Sequence, residues 1–227
     1  MSADADAGQD FTHDDITNRY YLDGAGDGVP IVLLPGGSLK ATYLAPLARQ
    51  LARAGHRVAR VDARQPPTDP DQTVTMHDLA ADVAAVMDHL DLPTCWVAGH
   101  AFGNRVARAV ALDHPDRIEG VILLAAGGVV PPVDEAQEAL RTAFSDAPEA
   151  QMEQAMTFMV GDPADAGSAW QAIKVARAGR LGPMQSTAST ITPEDEWATL
   201  VPGKPTMIIQ GSKDQIAPPA NGEKLAE

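Results

Sequence analysis

The sequence is poor in the features that several protein classes require. It has a single cysteine, Cys95, so no internal disulfide can form and nothing indicates an oxidising compartment. Its 17 Lys and Arg residues face 31 Asp and Glu residues, and the formal net charge of −14 argues against nucleic-acid binding. The longest apolar runs, such as 121–126, fall far short of the roughly 20 residues that span a bilayer. The first eight residues have neither the basic nor the apolar region of a signal peptide. These absences predict a soluble, cytoplasmic protein with no membrane or nucleic-acid partner.

The chain does contain ample material for one globular core. It has 227 residues, of which 44% are hydrophobic, and this length fits a single α/β domain. Residues 1–14 are small, polar and acidic, and we expect a flexible acidic tail there. From residue 15 onward, apolar runs typical of buried strands alternate with helical patterns. The predicted strands are 16–22, 30–34, 57–61, 95–99, 118–124 and 206–210, and the predicted helices are 43–54, 76–90, 102–114 and one that begins near Pro218.

This alternation predicts an α/β fold, a mostly parallel sheet with helices on both faces. Residues 132–200 interrupt the alternation with largely helical patterns, so we expect a helical lid inserted between a first core segment, 15–131, and a second, 201–227. Ligands of such sheets bind beyond the carboxyl ends of the strands. We therefore expect a pocket at that edge, roofed by the lid. The loops expected to line it are 35–38, 62–71, 99–103, 125–131 and 211–217.

The most specific motif is the stretch Val-Ala-Gly-His-Ala-Phe-Gly-Asn-Arg at 97–105. It has the layout of a nucleophile elbow, G-x-S-x-G, in which a sharp turn between a strand and a helix holds a serine above a parallel sheet. Ala101 stands where the serine would be. Its methyl group can neither attack a carbonyl carbon nor give up a proton, so the motif predicts the position of a site without its nucleophile.

With this elbow, the sequence resembles the α/β-hydrolase superfamily over nearly all of residues 15–227. Three further segments carry the resemblance: the Leu-Pro-Gly-Gly turn at 34–37, the His-Pro-Asp-Arg segment at 114–117, and the Gly-Ser-Lys-Asp turn at 211–214. The family carries its oxyanion-hole turn at the first of these positions and its catalytic acid at the last. The resemblance implies relatedness to hydrolases of small esters, lactones or similar hydrophobic compounds. It implies no cofactor and no metal.

The resemblance also implies a role for each candidate site residue. Ala101 is the vacant nucleophile position, and Asp214 is the acid, conditional on a histidine partner. The backbone N–H groups of Gly37 and Phe102 are the expected oxyanion-hole donors. The residues expected to contact substrate are Gly36, Ser38 and His100. Alternatives stay open, because the glycines suit a tight turn, Ser38 suits a helix N-cap, and the family usually packs the histidine before the nucleophile within the elbow.

The third member of a triad is missing from the sequence. The family order is nucleophile, acid, histidine, yet all six histidines precede Asp214. The four at 56, 77, 89 and 114 are expected on the surface or at helix ends. Cys95 lies roughly 20 Å from the elbow along its strand and is expected in the core. Because the chain stops within a predicted helix, before a strand and a helix that the family normally adds, we expect it to be a fragment of a longer protein.

Three functions remain open from the sequence. The chain belongs to a serine-hydrolase lineage with a disabled elbow, or it is a pseudoenzyme that binds a small hydrophobic molecule, or it is a lyase or cofactor-free enzyme that uses the oxyanion hole without a covalent step. Three methionines at 152, 156 and 159 recur at helical spacing. They either pack a helix onto the protein or form an adaptable roof over an apolar ligand. The oligomeric state is not predicted.

Overall fold

The structure is a computed structural model that describes residues 7–69, 71–177 and 181–227. Its strands are β1 (Gln9–His13), β2 (Ile16–Asp23), β3 (Gly28–Leu34), β4 (His56–Val61), β5 (Cys95–His100), β6 (Ile118–Leu124) and β7 (Thr206–Ile209). Its α-helices are α1 (Ala45–Arg53), α2 (Met76–His89), α3 (Phe102–Asp113), α4 (Asp134–Ala143), α5 (Glu149–Ala155), α6 (Ala166–Ala176), α7 (Leu181–Ile191) and α8 (Ala220–Ala226). Each predicted strand and helix is found within a few residues of its expected position.

The strands form one sheet in the order β1-β2-β4-β3-β5-β6-β7. The five strands from β4 to β7 along this order are parallel, and β1 and β2 are antiparallel additions at one edge. Helices cover both faces: α1 packs beside Leu33 and Val58, whereas α2 and α3 pack beside Val32 and Val97. The prediction of an α/β fold with a mostly parallel sheet is confirmed.

The prediction of a flexible tail over residues 1–14 is wrong for residues 9–13, which form β1. The strand pairs with β2, and a two-residue turn of Asp14 and Asp15 joins them, with φ angles of 46° and 63°. Two-residue hairpin turns of type I′ have positive φ at both central residues, and aspartate tolerates that conformation. The Phe11 ring stacks on His89 of α2, 4.2 Å between centroids, and anchors the strand. Residues 1–6 lie outside the described part of the chain.

Helices α4, α5 and α6 form a small core of their own. The buried side chains of Met152, Met156 and Trp170 meet there, and Met159 packs against them. These methionines therefore fill the interior of the helical layer, which favours the packing alternative. Helix α7 differs, because its buried apolar residues Met184 and Ala188 belong to the main core. That residues 132–200 act as a lid stays a prediction.

Strand β7 lies at the far edge of the sheet. In the part of the chain that the structure describes, it pairs with β6 alone, and its Met207 and Ile209 side chains are 53% and 54% exposed. That the chain is a fragment stays a prediction. None of the helices in the described ranges is long and apolar enough to cross a bilayer.

Candidate active site

The turn between β5 and α3 has the backbone of a strained elbow. Ala101 adopts φ 49° and ψ −113°, a conformation that a non-glycine residue rarely takes. Its N–H donates to the Leu124 carbonyl at 3.0 Å, which fixes the turn to the end of β6. A Cβ on Gly99 would overlap the backbone of Gly103, and a Cβ on Gly103 would come within 2.6 Å of the Pro35 carbonyl oxygen. Both glycines are therefore required by close backbone contacts.

The loop after β3 faces this elbow. A Cβ placed on Gly36 would lie 3.5 Å from the Ala101 methyl group, and a Cβ placed on Gly37 would lie 3.4 Å from the Phe102 Cβ. The structure thus brings together the two residues expected to donate to an oxyanion. The N–H of Gly36 is already used, because it donates to the Tyr43 hydroxyl at 2.8 Å.

Ser38 is placed beside this loop but does not cap a helix. Its φ is 61°, and its N–H donates to Oε1 of Gln185 on α7 at 2.8 Å. A short 3-10 helix precedes α1, and its N-cap is Lys40, which makes no side-chain cap bond. The N-cap alternative for Ser38 is therefore wrong: the turn needs a left-handed residue at 38, and the first helical turn starts three residues later.

His100 borders the elbow and forms a hydrogen bond with Tyr43. Its Nδ1 lies 2.7 Å from the Tyr43 hydroxyl oxygen. Because that oxygen already accepts the N–H of Gly36, the arrangement that satisfies every buried group has Tyr43 donate its proton to Nδ1. The imidazole then carries its own proton on Nε2. Burial also lowers the pKa of His100, and the nearby charge of Asp214 offsets this only in part, so the ring is neutral.

This arrangement bears directly on base catalysis. A neutral imidazole has one nitrogen that can accept a proton, and in His100 that nitrogen is bonded to Tyr43. Burial raises the pKa of Tyr43 as well, which keeps its hydroxyl protonated. His100 is therefore suited to donate a hydrogen bond from Nε2 and unsuited to remove a proton from a nucleophile.

Asp214 occupies the turn after β7, close enough for its charge to act on His100. Its Oδ1 accepts the N–H groups of Ile216 and Ala217 at 3.0 and 2.7 Å, and its Oδ2 accepts from Gln210 at 3.2 Å. These bonds are those of a turn-forming aspartate. They hold the carboxylate in place, while its role as an acid stays a prediction.

The other candidate groups lie away from the elbow. His56 bonds to a carbonyl at the start of β3, His77 to two carboxylates at 2.9 and 2.7 Å, and His89 to Tyr20. Cys95 is fully buried, as expected of a core residue, and burial raises the pKa of its thiol to about 12. Among the described residues, no cluster of three or more metal-ligating side chains occurs.

A small cavity lies beside the elbow rather than above it. Its volume of about 30 Å³ is room for a water or two. Residues from three of the predicted loops line it, together with Gln185 of α7, but Ala101 and His100 do not. The loops 125–131 and 211–217, also expected to line the pocket, contribute nothing to this cavity.

Comparison with known proteins agrees with this geometry. The family described as alpha/beta hydrolase fold matches residues 29–155. The chain belongs to the α/β-hydrolase fold family. It is 34% identical to a putative carbamate hydrolase of Variovorax paradoxus over 109 residues. This segment covers 47% of this chain and 41% of that protein. It is 30% identical over 126 residues to rhodomycin D methylesterase of Streptomyces peucetius, 52% of this chain and 42% of that protein.

Structural comparison extends the likeness to nearly the whole chain. The crystal structure of an enol-lactonase from Burkholderia xenovorans matches with a TM-score of 0.70 at 23% identity, and covers 96% of this chain and 86% of that one. At this identity the likeness concerns the fold. The segments matched in the two sequence relatives span less than half of each relative's length.

Three residues at the site were not found by sequence reasoning. Tyr43 is in a helical pattern and carries no signal of its bond to His100, 57 residues away. Gln185 reaches the loop after β3 across 147 residues, a contact that no local pattern reveals. Arg105 could have been found from the sequence, because residues four apart lie on the same face of a helix and Arg105 is four residues after Ala101.

Proposed function

We propose that this α/β-hydrolase-fold protein binds a small, largely apolar carbonyl compound, such as an ester or a lactone, at the elbow and does not hydrolyse it by a serine triad. The observation that carries the proposal is Ala101 itself. The position keeps the strained elbow backbone and its contacts with the loop after β3, which carries Gly36 and Gly37. Its side chain, however, has no nucleophilic atom.

The ligand class follows from what remains at the elbow. Phe102 is the first residue of α3, and Gly37 lies in the loop that faces it, where a Cβ at Gly37 would be 3.4 Å from the Phe102 Cβ. The N–H groups of these two residues would bind the partial negative charge of a carbonyl oxygen. The names of relatives, a carbamate hydrolase and a methylesterase, support an ester-like ligand. The absence of a covalent step rests on Ala101 and on His100, whose acceptor nitrogen is bonded to Tyr43.

The test separates binding from turnover. Methyl butyrate is titrated into the ¹⁵N-labelled protein, and p-nitrophenyl butyrate is used to assay hydrolysis by the wild type and by Ala101→Ser. We expect the amide signals of Gly37 and Phe102 to shift, while that of Gly161, which faces open space, stays in place. We expect neither protein to hydrolyse the ester.

Two results would overturn the proposal. Unchanged amide signals at Gly37 and Phe102 would show that the elbow does not bind the ester. Hydrolysis by the wild type, or a burst of p-nitrophenol from Ala101→Ser, would show that the protein has a proton acceptor that His100 is argued not to provide.

A reaction without a covalent step is the second candidate, and His100 is the observation that favours it. Its neutral ring carries a proton on Nε2 that could be donated to a ligand oxygen. His100→Gln keeps a side-chain donor and His100→Leu removes it. A lyase-type or isomerase-type activity that depends on His100 would be present in the wild type and lost in His100→Leu. If the protein only binds its ligand, neither the wild type nor the variants would show turnover.

A further inference from the structure

Arg105 is a half-buried cation on the first turns of α3. Its guanidinium lies over two aromatic rings, with Cζ 5.8 Å from the centroid of Phe102 and 5.5 Å from that of Trp197. Along α3, Arg105 lies four residues beyond Ala101, a helix rise of about 6 Å. Both ring distances are within the range of a cation–π interaction.

No carboxylate bonds to this guanidinium within the described residues. Among those residues, the guanidinium makes one side-chain hydrogen bond: Nη1 donates to the hydroxyl of Ser189 on α7 over a long distance of 3.4 Å. Burial lowers the pKa of Arg105, and the charge of Glu194 opposes this from a distance without a hydrogen bond. The site therefore desolvates a cation and does not supply its counter-charge.

Two other buried arginines have carboxylate partners. Arg60 forms an ion pair with Asp23 at 2.7 Å, and Arg64 forms one with Asp82 at 2.6 Å. A chain with a net charge of −14 has carboxylates in excess. Arg108, three residues further along α3, also lacks a carboxylate partner in the described part of the chain, but its guanidinium donates to four oxygen atoms of the protein. Arg105 differs from these three arginines, because its one side-chain hydrogen bond among the described residues is the long bond to Ser189.

The neighbouring loop comes close to the guanidinium on one side. Gly128, in the loop after β6, has φ +100°, and a Cβ at this position would lie 3.2 Å from Arg105 Nε and 3.5 Å from its Cζ. This loop follows β6 at the carboxyl edge of the sheet, where the elbow also lies. Any larger residue at 128 would both strain the backbone and crowd the cation.

We propose that Arg105 binds the carboxylate of a small anionic ligand whose carbonyl group lies at the elbow. The inference rests on the proposed function and specifies its ligand class: a carboxylate at one end, a short apolar body, and an ester, lactone or ketone carbonyl at the other. A guanidinium pairs with a carboxylate through two parallel hydrogen bonds, and partial burial strengthens that pairing. The carboxylate supplies the counter-charge that the protein omits.

Two probes of matched shape test this inference. Monomethyl adipate carries one ester and one carboxylate, whereas dimethyl adipate carries two esters and no charge. Affinities are measured by titration into the ¹⁵N-labelled protein, followed at the amides of Phe102 and Gly37. We expect the wild type to bind the monomethyl ester about tenfold more tightly than the dimethyl ester, because a hydrogen-bonded charge pair is worth more than a neutral contact.

Arg105→Gln should remove this preference and leave the affinity for dimethyl adipate unchanged. Arg105→Lys keeps the charge and much of the stem, and should retain part of the preference even if the glutamine variant is destabilised. Arg141→Gln removes one positive charge from an exposed position, where the arginine pairs with Glu138, and should change nothing.

The outcomes separate the two proposals. Equal binding of both esters by the wild type, with shifts at Phe102 and Gly37, would overturn the role of Arg105 and leave the proposed function standing. A preference that persists in Arg105→Gln would also overturn that role. Absence of shifts with either ester would overturn the proposed function and this inference together.

Discussion

The backbone at Ala101 is an uncommon one for alanine, and it sits where the fold holds a catalytic residue in its hydrolytic members. Positive φ at a non-glycine residue costs on the order of 1–3 kcal/mol and persists only where the surroundings impose it. Here the constraints are the contacts of Gly99 and Gly103 and the hydrogen bond to Leu124. The elbow geometry is therefore a property of the fold around position 101, independent of a serine.

This view predicts that Ala101→Gly stabilises the protein. Glycine adopts φ 49° and ψ −113° with little strain, so the free energy of unfolding should rise by about 1 kcal/mol. Urea denaturation measures the change. The matched control is Ala109→Gly inside α3, which should lower the free energy of unfolding by a similar amount. A loss of stability in Ala101→Gly would show that the turn is not strained.

Another prediction at the residue scale concerns the proton on His100. Because Tyr43 donates to Nδ1, the ¹⁵N signals of the ring should show an unprotonated Nδ1 and a protonated Nε2. The lowered pKa means that the ring stays neutral as the pH falls past its ordinary value. Tyr43→Phe removes the donor and should let the tautomers mix. A protonated Nδ1 in the wild type would contradict the assignment and restore His100 as a candidate base.

At the scale of elements, His77 links three parts of the chain. Located at the start of α2, it bonds through Nδ1 to Asp113 at the end of α3 and through Nε2 to Glu196, which precedes β7. Both carboxylates raise the pKa of His77. The protonated imidazole therefore joins α2, α3 and the segment before β7 through two charged hydrogen bonds.

The raised pKa fixes the sign of a pH effect. The folded state binds the proton more tightly than the unfolded state, so the stabilisation is complete below the ordinary pKa near 6.5 and is lost as the pH rises through the folded-state pKa. Thermal unfolding should show this loss in the wild type and not in His77→Gln. Because the side chain is 44% exposed, the effect should be modest and should shrink in high salt. An identical pH dependence in both proteins would exclude His77 as its origin.

At the scale of the whole molecule, the buried side chains form a main core on one face of the sheet, a smaller core on the α1 face, and a separate core in the helical layer. Trp170 is 1% exposed at the centre of the second one, and its indole N–H bonds to Glu149 at 3.1 Å. The core of the helical layer has no residue in common with the main core. We therefore expect the helical layer to lose its packing without disrupting the sheet.

Trp170→Ala tests this division. Removing the ring should cost about 3–5 kcal/mol of packing within the layer. Hydrogen exchange should then show lost protection in α4, α5 and α6, with the amides of β5 and β6 still protected. Leu123→Ala, in the main core, is the control and should lower protection throughout. Uniform loss in Trp170→Ala would mean that the two cores unfold as one unit.

Local periodicity and glycines at fixed spacing were enough to predict the sheet, the helices that cover it and the position of the elbow. Strand β1 was missed, because residues 9–13 lie in a small, polar and acidic stretch of sequence, and the strand is stabilised by pairing with β2 and by the contact of Phe11 with His89. The state of the site depends on contacts that form only in the folded chain. The bonds of Tyr43 to His100, of Gln185 to the loop after β3 and of Arg105 to Ser189 each join residues that are distant in the chain. Local sequence patterns do not encode such contacts.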